Sequence, residues 1–320
     1  MVNSMTQSMS IDKEIATNII VEFLDEPLKE VTQIIGQGSV NKVFKVKTNN
    51  YEIILRYRDE LAALEEYKKE AWCIKQAEKA GIPVAEVIKV GKFGETPYII
   101  QSYINGKNGK NEMVGPMSKW GKLGEYLSVI HSIKIQGFGL NIIDYKSGTF
   151  RDSFSPTWIE HVNYNISSLM EDDKLIELNV FEKSQLDEIK NIFSELKSKE
   201  FKFGLNHGDV ALRNTIISPE GKIYLIDWGC ALVNVVPYYD LMLLLRGKMD
   251  GNSPSNDEIQ AFLDGYGISK SGFEEIKSDL YSIMLLEAFD KLRWSMDRST
   301  SNIEAFAKYA KSILHQKLNN

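Results

Sequence analysis

Apolar residues recur at helical spacing at Ile15, Ile19, Ile20 and Phe23, with Ser10 or Asp12 placed to cap such a helix and Pro27 to close it. The preceding residues, 1–10, are polar and are expected to fray. From Leu28 the period shortens to two. Val31–Ile35, Lys42–Lys47 and Tyr51–Arg56 read as strands, the last two joined at an Asn49-Asn50 turn. The helical period returns over Asp59–Ala80, where Leu61, Leu64, Tyr67, Ala71, Ile74 and Ala77 form one stripe, and Gly81-Ile82-Pro83 stops it. Val84–Val90 and Tyr98–Ile104 supply two more strands, completing a small antiparallel sheet of about five.

Beyond that point helices dominate. Residues 107–116 are polar and contain glycine, a linker-like loop. A helix is expected from about Ser118 to His131, another starts at Thr157-Trp158-Ile159-Glu160, and a strongly charged one spans Glu182–Lys199. Asp257–Tyr266, Ser271–Asp297 and Asn302–Leu318 read as three more. The class is α+β. Residues 1–27 form a tail and helix, 28–104 a small sheet with one main helix, and 105–320 a larger, mainly helical region. No internal repeat is present.

The chain has 320 residues, 43% hydrophobic and 26% charged, as in soluble globular proteins. Its formal charge of −6 argues mildly against nucleic acid as a partner and suits a cationic small substrate. Cys73 and Cys230 lack CxxC partners and are expected to be buried, reduced thiols. No apolar run is long enough to span a bilayer and no leader is evident, so the expectation is a cytoplasmic enzyme with no membrane partner. A monomer or weak dimer is expected.

The chemistry concentrates in Asn206-His207-Gly208-Asp209-Val210-Ala211-Leu212-Arg213-Asn214 and, after a short hairpin, Ile226-Asp227-Trp228-Gly229. Asn214 opens a short strand, Pro219-Glu220-Gly221 signals a turn, and Lys222–Ile226 is a second strand. A hairpin of that length carries Asp227 back beside Asn214, and the preceding loop brings Asp209 to the same end. Phosphoryl transfer asks for this set: one carboxylate to orient and deprotonate a hydroxyl, an amide and a second carboxylate to hold Mg²⁺. The bland alternative is two turn-capping aspartates, which Asp often provides.

The spacing resembles the catalytic region of the aminoglycoside phosphotransferase and choline kinase family: His-Gly-Asp, four residues, Asn, a hairpin, then Ile-Asp-Trp or Ile-Asp-Leu. The resemblance implies a bilobal protein-kinase-like fold in which Asp209 is the catalytic base and Asn214 and Asp227 bind the metal. Gly36-Gln37-Gly38-Ser39 between two strands is the kinase type of loop that covers phosphates, with Gly36 and Gly38 permitting close approach and Ser39 donating. Asn41 stands where the motif has its third glycine. The resemblance further places Arg56 on the α- and β-phosphates, though Arg58 is a neighbouring cation on the same face of the strand. It pairs Glu70 with Arg56, and holds the nucleotide base on backbone groups of Ser102 and Ile104, with Gln101 behind it. It also makes Asp240 a brace for the catalytic loop as well as a good helix cap, and His131 structural. The usual Gly-Asp before Pro237 is replaced by Val235-Val236.

The expected reaction transfers the γ-phosphate of ATP or GTP, with Mg²⁺, to a hydroxyl of an aminoglycoside-type antibiotic, conferring resistance. Glu160, Glu287 and Phe289 are candidate acceptor contacts, although a helix-end preference explains Glu160 and helix packing explains the other two. A metabolite kinase acting on choline, an amino-alcohol or a sugar is the alternative, and a non-catalytic nucleotide-binding relative is another.

Overall fold

The computed structural model describes residues 2–24, 26–35, 41–111, 115–249 and 253–319. Helix α1 (Val2–Phe23) starts well before the expected cap, so residues 2–10 are helical rather than frayed. Asp12 lies inside that helix instead of capping it. Its backbone carbonyl accepts from the Tyr57 hydroxyl at 3.0 Å and its carboxylate pairs with Lys42 at 2.8 Å.

Strands β1 (Glu30–Gln33), β2 (Lys42–Lys47) and β3 (Glu52–Tyr57) precede α2 (Ala63–Lys79), and β4 (Val87–Phe93) and β5 (Thr96–Ser102) follow it. They form one antiparallel five-stranded sheet in the order β1-β2-β3-β5-β4. The strand period of two sorts its side chains. Phe44, Val46, Ile53, Leu55, Tyr57, Tyr98 and Ile100 pack with Ala16, Ile19 and Ile20 of α1. Ile99, of opposite parity, packs with Ala63 and Tyr67 of α2. Arg56 therefore projects toward α2 while Leu55 and Tyr57 anchor the strand in the core, each such side chain contributing about 1.5–3 kcal/mol.

The chain continues through β6 (Lys107–Asn108), α3 (Pro116–Ile130), β7 (Gln136–Phe138), β8 (Asn141–Asp144) and β9 (Thr149–Arg151). Helices α4 (Trp158–Ser167), α5 (Lys174–Glu177) and α6 (Leu186–Ser198) lead to β10 (Phe203–Asn206), β11 (Thr215–Ile217), β12 (Ile223–Leu225) and β13 (Leu232–Val235). Helices α7 (Tyr238–Met249), α8 (Asn256–Tyr266), α9 (Lys270–Asp297) and α10 (Ile303–Leu318) follow. Side-chain caps start four of these helices: Thr157 for α4, Asp173 for α5, a Ser255/Glu258 capping box for α8, and Ser269 for α9.

Two compact units result. One takes Met1–Glu112 with Arg213–Gly229, the other Met113–Leu212 with Cys230–Asn320. In the first, the segment read as a linker supplies β6, which pairs antiparallel with β11 in a sheet ordered β12-β11-β6. The approach is close: a Cβ on Gly106 would sit 2.5 Å from the Ile217 carbonyl oxygen, so no larger residue fits. Val84 bridges Leu225, tying the five-stranded sheet's end to the same hairpin.

In the second unit α9 is central, touched by α4, α6, α7, α8 and α10. Its buried Leu280, Ile283, Met284, Leu285, Leu286, Phe289 and Leu292 form the enclosed stretch, while its first turns from Lys270 to Asp279 are largely polar and not buried. A three-stranded sheet ordered β7-β9-β8, invisible in the sequence pattern, occupies the insert before α4. Cys73 is buried, but Cys230 is exposed, against the expectation that both are enclosed. Burial pushes the Cys73 thiol up to about 12.

Candidate active site

In the first unit two arginines of strand β3 and its end face two glutamates of α2. Arg56 pairs with Glu70, both buried, while Arg58 pairs with the exposed Glu66 one helical turn earlier. Arg56 also lies 3.9 Å, Nη1 to Oδ1, from Asp227. Burial disfavours its charge, but Glu70 first and Asp227 next outweigh that and hold the guanidinium above its ordinary range. Its Nε is buried with no hydrogen-bond partner among the described residues. The geometry thus separates the two cations: Arg56, not Arg58, stands beside the Asp227 carboxylate.

The β11–β12 hairpin sets Asn214 and Asp227 at its open end. Thr215 pairs with Leu225, and the Ile226 N–H donates to the Asn214 carbonyl at 2.9 Å, so the two candidate metal ligands flank the last rung. Asn214 is buried and Asp227 exposed. Asp227 has φ of 63°, in the left-handed region that a non-glycine residue enters at a cost of about 1–3 kcal/mol. Trp228, buried behind it, donates from its indole to the Leu225 carbonyl at 3.3 Å.

Ser102 ends β5, its N–H donating to the Glu86 carbonyl and its hydroxyl accepting from the Glu86 N–H, both at 2.9 Å. Ser102 and Ile104 line a cavity of about 280 Å³ with Val84, Tyr103, Asn105, Ser218, Pro219, Glu220 and Tyr224. None of Arg56, Glu70 or Asp227 lines it, so this hollow is not where a phosphate chain would lie. Gly36, Gly38 and Ser39 fall outside the described residues.

In the second unit His207-Gly208-Asp209 leaves β10, which pairs antiparallel with β13. The loop hangs on Asp240. Its carboxylate accepts from the His207 N–H at 3.0 Å and the Gly208 N–H at 2.9 Å, and contacts His131 Nε2 at 3.0 Å. His131 Nδ1 in turn meets the Tyr266 hydroxyl at 2.8 Å. Asp240 sits in the first turn of α7 rather than ahead of it, so the brace, not the helix cap, is what it does here. Gly208 has φ of +78°, and a Cβ there would meet the Cys230 carbonyl at 2.1 Å, which leaves glycine as the only fit. Asp209 is half-buried, its N–H donating to His207 Nδ1 at 3.3 Å.

The three candidate acceptor contacts occupy different surroundings in this unit. Glu160 is exposed and engaged with its own helix end, accepting from the Thr157 hydroxyl at 2.9 Å. Phe289 is wholly buried, stacked on Phe181 and edge-on to Phe193, so its expected substrate contact gives way to helix packing. Glu287 is partly exposed, with Oε1 at 3.5 Å from Nε2 of the nearly buried His161. Neither atom has a hydrogen-bond partner among the described residues. Burial pulls the His161 pKa down, but Glu287, then Asp290 and Asp152, outweigh it and raise it. Burial, reinforced by Glu287, raises that of Asp290.

Residues 31–277 match the profile of the APH phosphotransferase enzyme family. The chain belongs to that family. No curated protein matches the phosphotransferase in sequence. Among solved structures it superposes on aminoglycoside phosphotransferase APH(4)-Ia with TM-score 0.68 and 16% identity, over 94% of this chain and 97% of that one. Spectinomycin phosphotransferase APH(9)-Ia in complex with ADP and spectinomycin gives 0.55 and 18%, over 90% of each chain. A protein assigned as a fructosamine-3-kinase from Haemophilus somnus 129PT gives 0.59 and 15%, over 91% and 92%. The α+β fold of these enzymes, with its small antiparallel sheet and many helices, is the fold of this phosphotransferase.

Sequence reasoning missed Lys69, His161 and Asp290. Lys69 is buried, and its ammonium donates to the Gly229 carbonyl at 2.7 Å, a contact 160 residues away that no local pattern announces. His161 lies on α4 and Asp290 on α9, and no local period links residues so far apart in the chain. No helix is long and apolar enough to cross a membrane among the described residues.

Proposed function

We propose that this phosphotransferase moves the γ-phosphate of ATP or GTP to a hydroxyl of an amine-bearing, aminoglycoside-type acceptor in a Mg²⁺-dependent reaction. The observation that carries the reading is Arg56, buried against Glu70 with a spare Nε donor and 3.9 Å from the carboxylate of Asp227. A fixed guanidinium beside an exposed carboxylate suits a triphosphate and its counter-ion. Mg²⁺ keeps several waters and takes one or two protein oxygens besides phosphate, so the amide of Asn214 and the carboxylate of Asp227 fit it as a donor set. Bound there, the ion would neutralise charge on the phosphates. Arg56, oriented by Glu70, holds the non-transferred phosphates. Ser102 and Ile104 supply backbone groups for the base, and the glycine loop of Gly36, Gly38 and Ser39 covers the phosphates. Asp209, held by the Asp240 brace, orients the acceptor hydroxyl and takes its proton. The nucleotide supply places such an enzyme in the cytoplasm.

The partly exposed Glu287 and the neighbouring Asp290 favour a cationic acceptor, because two clustered acids attract an ammonium. A metabolite kinase for an amino-sugar or glycated amine is the second reading, supported by the fructosamine-3-kinase relative. ADP release across a panel of aminoglycosides, spectinomycin, choline and fructosamines tests both: no release with any amine-bearing acceptor would refute the reading. Asp227→Ala should abolish Mg²⁺-dependent nucleotide binding. Calorimetry with and without the metal checks it.

A further inference from the structure

Adjacent residues of α2 reach two different parts of the proposed phosphate machinery. Successive residues of an α-helix point about 100° apart around its axis. Glu70 uses its direction for Arg56, and Lys69 uses the other for the Gly229 carbonyl, two residues beyond Asp227. Both side chains are buried, Lys69 at 4% and Glu70 at 3% exposure. The turn that Lys69 grips is compact. A Cβ built on Gly229 would lie 3.7 Å from Asp227 Oδ1 and 3.9 Å from Glu70 Oε2. Asp227 is held in a left-handed backbone conformation, so its carboxylate direction depends on what fixes the residues after it.

We propose that Lys69 is a positioning residue: it clamps the Asp227-Trp228-Gly229 turn to α2 through the Gly229 carbonyl and so sets the metal-holding carboxylate. One helix then holds the phosphate cation and the metal loop together, and the two substrates of the first unit, nucleotide and Mg²⁺, bind cooperatively because each needs α2 in one place. A buried ammonium bonded to a carbonyl is suited to this. Its hydrogen bond is charge-assisted, and its donor is itself buried. The inference rests on the metal assignment to Asp227 made above.

The test is calorimetric titration of nucleotide at a series of Mg²⁺ concentrations for wild type, Lys69→Met and Lys69→Arg. In Lys69→Met the Mg²⁺ concentration giving half of the affinity gain should rise about tenfold, the size of one charge-assisted hydrogen bond. Metal-free nucleotide affinity should stay within about twofold, a split that general loosening of the fold would not produce. Lys69→Arg, which keeps a charged donor, should recover most of the loss. If Lys69→Met does not fold, Lys69→Gln takes its place with the same expectation. An unchanged Mg²⁺ dependence in a folded variant, or an equal loss with and without metal, overturns the clamp. A wild-type protein whose nucleotide affinity ignores Mg²⁺ overturns the metal assignment itself, and the clamp with it.

Discussion

Among the described residues of the second unit are two histidine–carboxylate pairs, one buried and one partly exposed, and they are bonded in opposite ways. At the His207-Gly208-Asp209 loop, His131 and Asp240 close a network. Both ring nitrogens have partners, and the carboxylate also accepts from two backbone N–H groups. Between α4 and α9, His161 and Glu287 face each other at 3.5 Å with an unpartnered atom on each side, and Asp290 adds a further acid. The same residue types thus serve as scaffold where every lone pair and proton is matched, and stay responsive where they are not. A saturated network holds the backbone of the loop that carries Asp209.

Three experiments would break or sharpen this contrast. The largest effect should come from Asp240→Ala, which strips the acceptor from two N–H groups and a histidine and should lower unfolding free energy by about 3–5 kcal/mol. Glu287→Ala should lower it by less than about 1 kcal/mol, since no well-formed bond is lost. Chemical denaturation of both proteins checks the difference, and equal costs would erase the distinction. Next, Asp209→Asn should cut turnover by about a thousandfold while unfolding free energy moves by no more than about 0.5 kcal/mol. That separates the loop's chemistry from its support, and steady-state rates beside denaturation curves measure it.

The smallest effect is pH-dependent. The folded-state pKa of His161 is raised, so the stability from its pairing with Glu287 and Asp290 is fully present below the ordinary histidine value of about 6.5. That stability is lost as pH rises through the elevated value. The midpoint difference between wild type and His161→Gln should therefore shrink from pH 6 to pH 9. A difference that is flat, or that grows, would place His161 in the closed class with His131.

Much of this was legible in the sequence because it is local. The hairpin from Asn214 to Asp227 is written in a turn flanked by two short apolar runs, and α9 ends where its pattern does, at Asp297. Arg56 could not be told from Arg58 by strand parity. The choice needed the opposing face of α2, where Glu70 and Glu66 divide them. The β7-β9-β8 sheet escaped notice because its strands are three or four residues long and interrupted by a bulge, too short for a period to register. His161 and Asp290 escaped because their meaning is a tertiary contact. The placement of α1 went astray for a plainer reason: polar residues at a terminus suggest fraying, yet the helix runs through them.

The pairing of β6 with β11 has a consequence for how the chain matures. A strand beginning at Lys107 waits for a partner near Ile217, and the Lys69 ammonium waits for Arg213–Gly229 to supply the Gly229 carbonyl it bonds. During synthesis the amino-terminal part cannot finish assembling until the intervening hundred or so residues have left the ribosome, unlike a domain contiguous in sequence. A fragment ending at Glu112 should consequently emerge with an open sheet edge, a substrate for chaperones rather than a free-standing nucleotide binder.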